Sequence, residues 1–193
     1  MIVGLDPSIR SPGLAVNVNG VLRLAVRLKL SKETLALEDW GMRVDAVAIE
    51  CVAWVQQMER WCEATTSAVV YERPQIYGVG KSTGDPNDLI ALAAIGAAVA
   101  RELRGRPCPD IKIHAPLPRE WQGGTKKRIT GDAWDCTRGA KLRVRLTAAE
   151  LAIVEGTHDA IDAACLALHT TPRALAKRRR APNSRGSRPR ATP

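Results

Sequence analysis

Asn19-Gly20 divides two apolar runs near the N-terminus, G-L-A-V-N-V at 13–18 and V-L-R-L-A-V-R-L-K-L at 21–30. A two-residue hairpin turn of the common type needs positive φ at both central positions, which Asn and Gly tolerate. The pair therefore commits the chain to an antiparallel hairpin. Ahead of it, I-V-G-L at 2–5 is a third short apolar run, closed by Asp6 and Pro7. Together the three predict an N-terminal meander with a carboxylate at the end of its first strand.

Downstream, the apolar period lengthens. Val47, Cys51, Val55, Met58 and Cys62 fall near one face of a helix over 46–64. Ala68 to Tyr71 predicts a fourth strand that ends at Glu72, where Arg73-Pro74 breaks it. An Ala/Leu/Ile-rich helix opens at Pro86 or Asn87 and runs to about Leu103, with Gly96 admitting close packing. Ile111 to His114 alternates between prolines as a fifth strand. His158 to His169 forms a last helix, stopped by Pro172. Residues 31–45 and 129–155 are ambiguous. Within the latter, K-L-R-V-R-L at 141–146 suits a strand or a helix edge, and Thr147 with Glu150 fits a capping box. The order predicts an α/β fold with a mixed five-stranded sheet flanked by helices. At 193 residues it makes one domain, 1–170, followed by a tail, 171–193.

Charge separates those two parts. The net charge is +9, and Arg173, Lys177, Arg178, Arg179, Arg180, Arg185, Arg188 and Arg190 account for eight of it with no acid among them. A basic, disordered tail on a nearly neutral body points to a polyanionic partner, most often nucleic acid. A solubilising tail is the plainer alternative. The five cysteines are widely spaced and form no C-x-x-C pair, which suits buried, reduced residues in the cytoplasm rather than a zinc site. The N-terminus lacks the pattern of a signal peptide, and the longest apolar run is too short for a bilayer, so no membrane role is expected.

Three acidic positions stand out against apolar surroundings: Asp6, Glu72, and the pair Asp159 and Asp162 in T-H-D-A-I-D-A-A-C. If the first and fourth strands are neighbours, Asp6 and Glu72 meet. Asp159 and Asp162, three apart, share a helix face. Converging carboxylates repel and call for a cation, and all-oxygen ligands favour Mg²⁺ or Mn²⁺. Two such ions can drive phosphodiester hydrolysis. Plainer readings are a turn cap for Asp6, a surface ion pair for Glu72 and a first-turn acid for Asp159. Glu50 competes with Glu72, although it falls inside the expected helix. His158 suits a proton carrier, a third-shell group or a helix cap. G-V-G-K-S-T at 78–83 lacks the spacing of a phosphate-binding loop, so Lys81 is read as the tip of a basic loop.

These residues resemble a known family. I-V-G-L-D-P-S-I-R-S-P-G resembles the opening motif of the RuvC-type Holliday junction resolvases, within the RNase H-like superfamily. V-V-Y-E-R-P and H-D-A-I-D-A-A resemble its fourth strand and last helix. The resemblance covers about residues 1–170. It implies an RNase H-like fold and makes Asp6, Glu72, Asp159 and Asp162 the catalytic and metal-holding residues, with two Mg²⁺ ions, or Mn²⁺ in their place. It implies a homodimer that binds four-way junctions and other branched DNA, cutting symmetrically to leave 5′-phosphates. Arg10 and Gly13 match family positions. Lys126 and Lys127, with Arg128 beside them, lie where family lysines approach the phosphates. The expected aromatic after the glutamate is replaced by Gln75, and Tyr77 is the nearest one; Ser8 stands where glycine is usual. P-R-E-W-Q-G-G-T-K-K is similar to a segment of phage-encoded relatives. Other outcomes are an RNase H-like nuclease for RNA–DNA hybrid or an inactive nucleic-acid-binding protein.

Overall fold

In the computed structural model, residues 1–74, 86–106, 110–117, 152–154 and 157–169 are described, without the side chains of 86–88. Strands β1 (Ile2–Asp6), β2 (Gly13–Val18) and β3 (Val21–Arg27) form the expected meander. Asn19 and Gly20 take φ of 54° and 84° at its turn, and Asn17 Oδ1 accepts the Gly20 N–H at 2.9 Å. β4 (Ala68–Tyr71) and β5 (Lys112–His114) add in parallel on the far side of β1, giving the order β3-β2-β1-β4-β5. The mixed five-stranded sheet is therefore as the sequence predicts.

Alternation along the strands sorts the core into two layers. Val3, Leu5, Leu14, Val16 and Val69 face one side, where α2 (Trp40–Cys62) and α3 (Pro86–Arg104) cover them. Ala15, Leu22, Ala25 and Val70 face the other, beneath α4 (His158–His169). The second layer is thin. A Cβ on Gly4 would collide with the Ala163 carbonyl oxygen and the Ala167 amide, and one on Gly13 with the Asp159 carbonyl oxygen. These two glycines let α4 lie directly on β1 and β2. Gly96 plays a comparable part on the opposite side, where a Cβ would meet the Tyr71 ring at 2.5 Å.

Two features depart from the sequence reading. Residues 31–45 contain a short helix, α1 (Lys32–Ala36), and the first turn of α2, which begins at Trp40 rather than near 46. Both starts have side-chain caps: Ser31 Oγ accepts the Thr34 N–H, and Asp39 Oδ1 accepts the Met42 N–H at 2.7 Å. β3 also ends at Arg27, short of Leu30, and carries one extra residue. Val16 pairs with Leu24 and Asn17 with Leu22, so Arg23 is passed over. The possible strand at 141–146 and the Thr147/Glu150 box lie outside the described residues. Cys51 and Cys165 are buried and Cys62 is half-buried, all as free thiols. Burial, then the Glu50 charge, pushes the Cys51 thiol up to about 12, so it stays protonated.

Glu59 ties three elements together. Near the end of α2, it accepts the Thr66 N–H at 2.8 Å ahead of β4 and meets Arg106 Nη2 at 2.7 Å beyond α3. Burial pushes its pKa up, but the hydrogen bonds from Arg106 and Thr66 and the Arg106 charge outweigh that and hold it below its ordinary 4.5. A depressed carboxyl contributes stability above the unfolded-state value and loses it as pH falls through the folded one. Thermal unfolding of Glu59→Gln should therefore show a lower Tm than wild type at pH 7 and a gap that narrows as pH falls below about 4.5. A gap of constant size from pH 7 to pH 3 would remove Glu59 as the source.

Candidate metal centre

The sheet order places β1 between β2 and β4, so the ends of two parallel strands lie side by side. Leu5 pairs with Tyr71. The next residues, Asp6 and Glu72, thus emerge at the same edge, as expected from the sequence. α4 begins at this edge. Because Gly13 has no side chain, the first turn of α4 rests over β2 with Asp159 near the end of β1.

Asp6, His158 and Asp159 each present a ligand atom within 4.8 Å of the others. Two carboxylates and an imidazole, partly open to solvent, are a donor set that one divalent cation fits. The oxygens suit Mg²⁺ or Mn²⁺, and the nitrogen is a ligand for many transition metals. Among the described residues this is the only such group of three.

Asp162 stands behind this group. It is 3% exposed, and its Oδ2 lies 3.4 Å from His158 Nδ1, one helical turn back. A carboxylate so placed fixes the orientation of the imidazole. His158, for which the sequence alone offers several roles, stands beside Asp159 in the first turn of α4 and joins the cluster there. Glu72 lies one strand along and is not part of the three-residue group. Arg10 is exposed on the loop between β1 and β2. Tyr77, Lys81, Lys126, Lys127 and Arg128 lie outside the described residues.

Asp159 has a second neighbour that the sequence did not suggest. Arg27 Nε, at the end of β3, is 3.6 Å from Asp159 Oδ2. Glu50, the rival of Glu72, is committed elsewhere. Its carboxylate accepts from Ser31 N–H, Ser31 Oγ (2.7 Å) and Thr34 Oγ1 (2.5 Å), anchoring α1 to α2. Partial burial raises its pKa, but these hydrogen bonds prevail and leave it below the ordinary value.

No helix among the described residues is long and apolar enough to cross a membrane. No protein-family model matches the chain, and no curated protein matches it. Solved structures do. The T. thermophilus RuvC in complex with a Holliday junction substrate matches with 21% identity over 91% of this chain and 96% of its own, at a TM-score of 0.51. The yeast mitochondrial Holliday junction resolvase Ydc2 matches with 14% identity over 91% of this chain and 79% of its own, at a TM-score of 0.50. At such identities the likeness is one of fold: this chain has an RNase H-like architecture, with the Asp6, His158 and Asp159 cluster at the edge of its sheet.

Proposed function

We propose that the protein is a metal-dependent endodeoxyribonuclease that resolves four-way DNA junctions as a homodimer. It nicks two strands symmetrically and leaves 5′-phosphates. The observation that carries this reading is the meeting of Asp6, His158 and Asp159 at the edge where Glu72 also emerges. Structural likeness to two junction resolvases supports it.

In this reading Asp6 and Asp159 hold a divalent cation with His158, and Glu72 adds a carboxylate from the next strand for a second ion. When bound, Mg²⁺ or Mn²⁺ supplies activation of water and stabilisation of the leaving oxygen. The protein's own part is to gather negative charge where the scissile phosphate must lie. Asp162 keeps the imidazole of His158 in one orientation, so that its other nitrogen faces a ligand or carries a proton. Arg10, Tyr77, Lys81, Lys126, Lys127, Arg128 and the tail at 171–193 hold DNA. A junction offers two equivalent strands, which a two-fold dimer matches. Ile49 and Ile90, 62% and 58% exposed on α2 and α3, support an interface on that layer.

The test is a gel with labelled four-way junction, linear duplex and RNA–DNA hybrid, each with Mg²⁺ or Mn²⁺. Paired, ligatable nicks in the junction, with the other two left whole, are expected. Cleavage of the hybrid alone, or of nothing, overturns the proposal.

A further inference from the structure

The sheet delivers a row of residues to the edge that carries the cluster. Asp6 closes β1, Gly13 pairs with it from β2, and Arg27 pairs with Gly13 from β3. Asp6 and Arg27 thus flank a residue without a side chain, and the first turn of α4 roofs the gap. Asp159, at the start of that turn, is reached from both flanks. Asp6 and His158 lie within 4.8 Å on one, and the Arg27 guanidinium lies 3.6 Å away on the other. Both members of the Arg27–Asp159 pair are accessible, at 50% and 32% side-chain exposure.

We infer that Arg27 is a positioning residue of the cation site: it competes with the cation for Asp159, so that loading is favoured only when a substrate phosphate draws the guanidinium away. The inference rests on the cluster being the cation site proposed above. Two positive groups sharing one carboxylate repel each other. A phosphodiester removes the conflict, because it accepts the guanidinium's paired N–H donors while its charge faces the cation. Arg27 thereby couples metal loading to substrate.

Mn²⁺ binding to the full chain without DNA measures this directly, with free Mn²⁺ followed by electron paramagnetic resonance. Wild type, Arg27→Gln, Arg27→Lys and Asp6→Asn are compared. An exposed ion pair is weak, so Arg27→Gln should bind Mn²⁺ about two- to five-fold more tightly than wild type, with Arg27→Lys close to wild type. Gained affinity is not something a damaged fold supplies. Equal or weaker binding by Arg27→Gln, while Asp6→Asn still impairs it, overturns the role of Arg27 alone. Mn²⁺ binding that is absent from wild type and Arg27→Gln alike, or indifferent to Asp6→Asn, removes the cation site and takes this inference with it.

Discussion

Asp6→Asn is expected to bind a four-way junction as wild type does and to cut it about a thousand-fold more slowly, a loss of about 4 kcal/mol of charge stabilisation. The amide nearly preserves the shape of the side chain. It removes a charge that, with Asp159 and His158, makes the edge of the sheet able to hold a cation. Asp159→Asn and Glu72→Gln should fall in the same direction. So should Asp162→Asn, which removes the charge of the carboxylate beside His158 Nδ1. Glu50→Gln should retain cleavage and lose stability instead, because its carboxylate is held by Ser31 and Thr34. Single-turnover cleavage beside a binding assay separates these outcomes. A fast Glu72→Gln with a dead Glu50→Gln would reverse the assignment of the two glutamates.

Gly4→Ala is expected to be strongly destabilising for the addition of a single methyl group. The new Cβ would meet main-chain atoms of α4, the Ala163 carbonyl and the Ala167 amide, as well as the Ala167 Cβ at 2.9 Å. Backbone in the middle of a buried helix cannot step aside as a side chain can. Overpacking of this kind costs about 3 kcal/mol or more, which for a chain of this size lowers Tm by about 10 °C. Gly20→Ala is the control. Nothing lies within 4 Å of its Cβ, and only its φ of 84° opposes the change, a cost of about 1–2 kcal/mol. Denaturant unfolding of both variants tests the account. Equal losses would mean that close helix-to-sheet approach is not what Gly4 provides.

Much of the scaffold is legible in the residues. Asn19-Gly20 announces the hairpin, and the short apolar runs closed by Asp6 and Glu72 announce two of the strands. Proline marks the entry to α3, and the unbroken apolar stretch after Asp162 announces α4. The first turn of α2 is harder to see. L-S-K-E-T-L-A-L-E-D-W-G-M-R has no sustained apolar period, and its order comes from the caps Ser31 and Asp39 and from the distant Glu50. Local signals carry little of that. The cluster is legible in part. Asp6 and Asp159 are the acids of their motifs, whereas His158 stands beside Asp159 with no role its residue type dictates, and its contact with buried Asp162 is a fact of packing. Arg27 is hidden for another reason. Counting outward from the turn without a bulge sets Val26, not Arg27, opposite Gly13, and a one-residue slip exchanges the faces of a strand.

That slip has a consequence for how the hairpin can vary. Leu22 and Ala25 are three apart, yet both lie beneath α4, so the strand changes phase between them. Arg23 is the spare half-period. The part of β3 near the turn and the part near Asp159 follow different clocks, and each is set by its partner on β2. Deleting Arg23 would merge the two clocks and still leave Arg27 opposite Gly13. Deleting a paired residue beside it, with the slip kept, would carry Leu28 into that place and put a hydrocarbon against Asp159. The hairpin is thus tolerant where it is out of step and intolerant where it is regular, and what matters to the site is the register across the strands, from Asp6 through Gly13 to Arg27, rather than the distance from the turn.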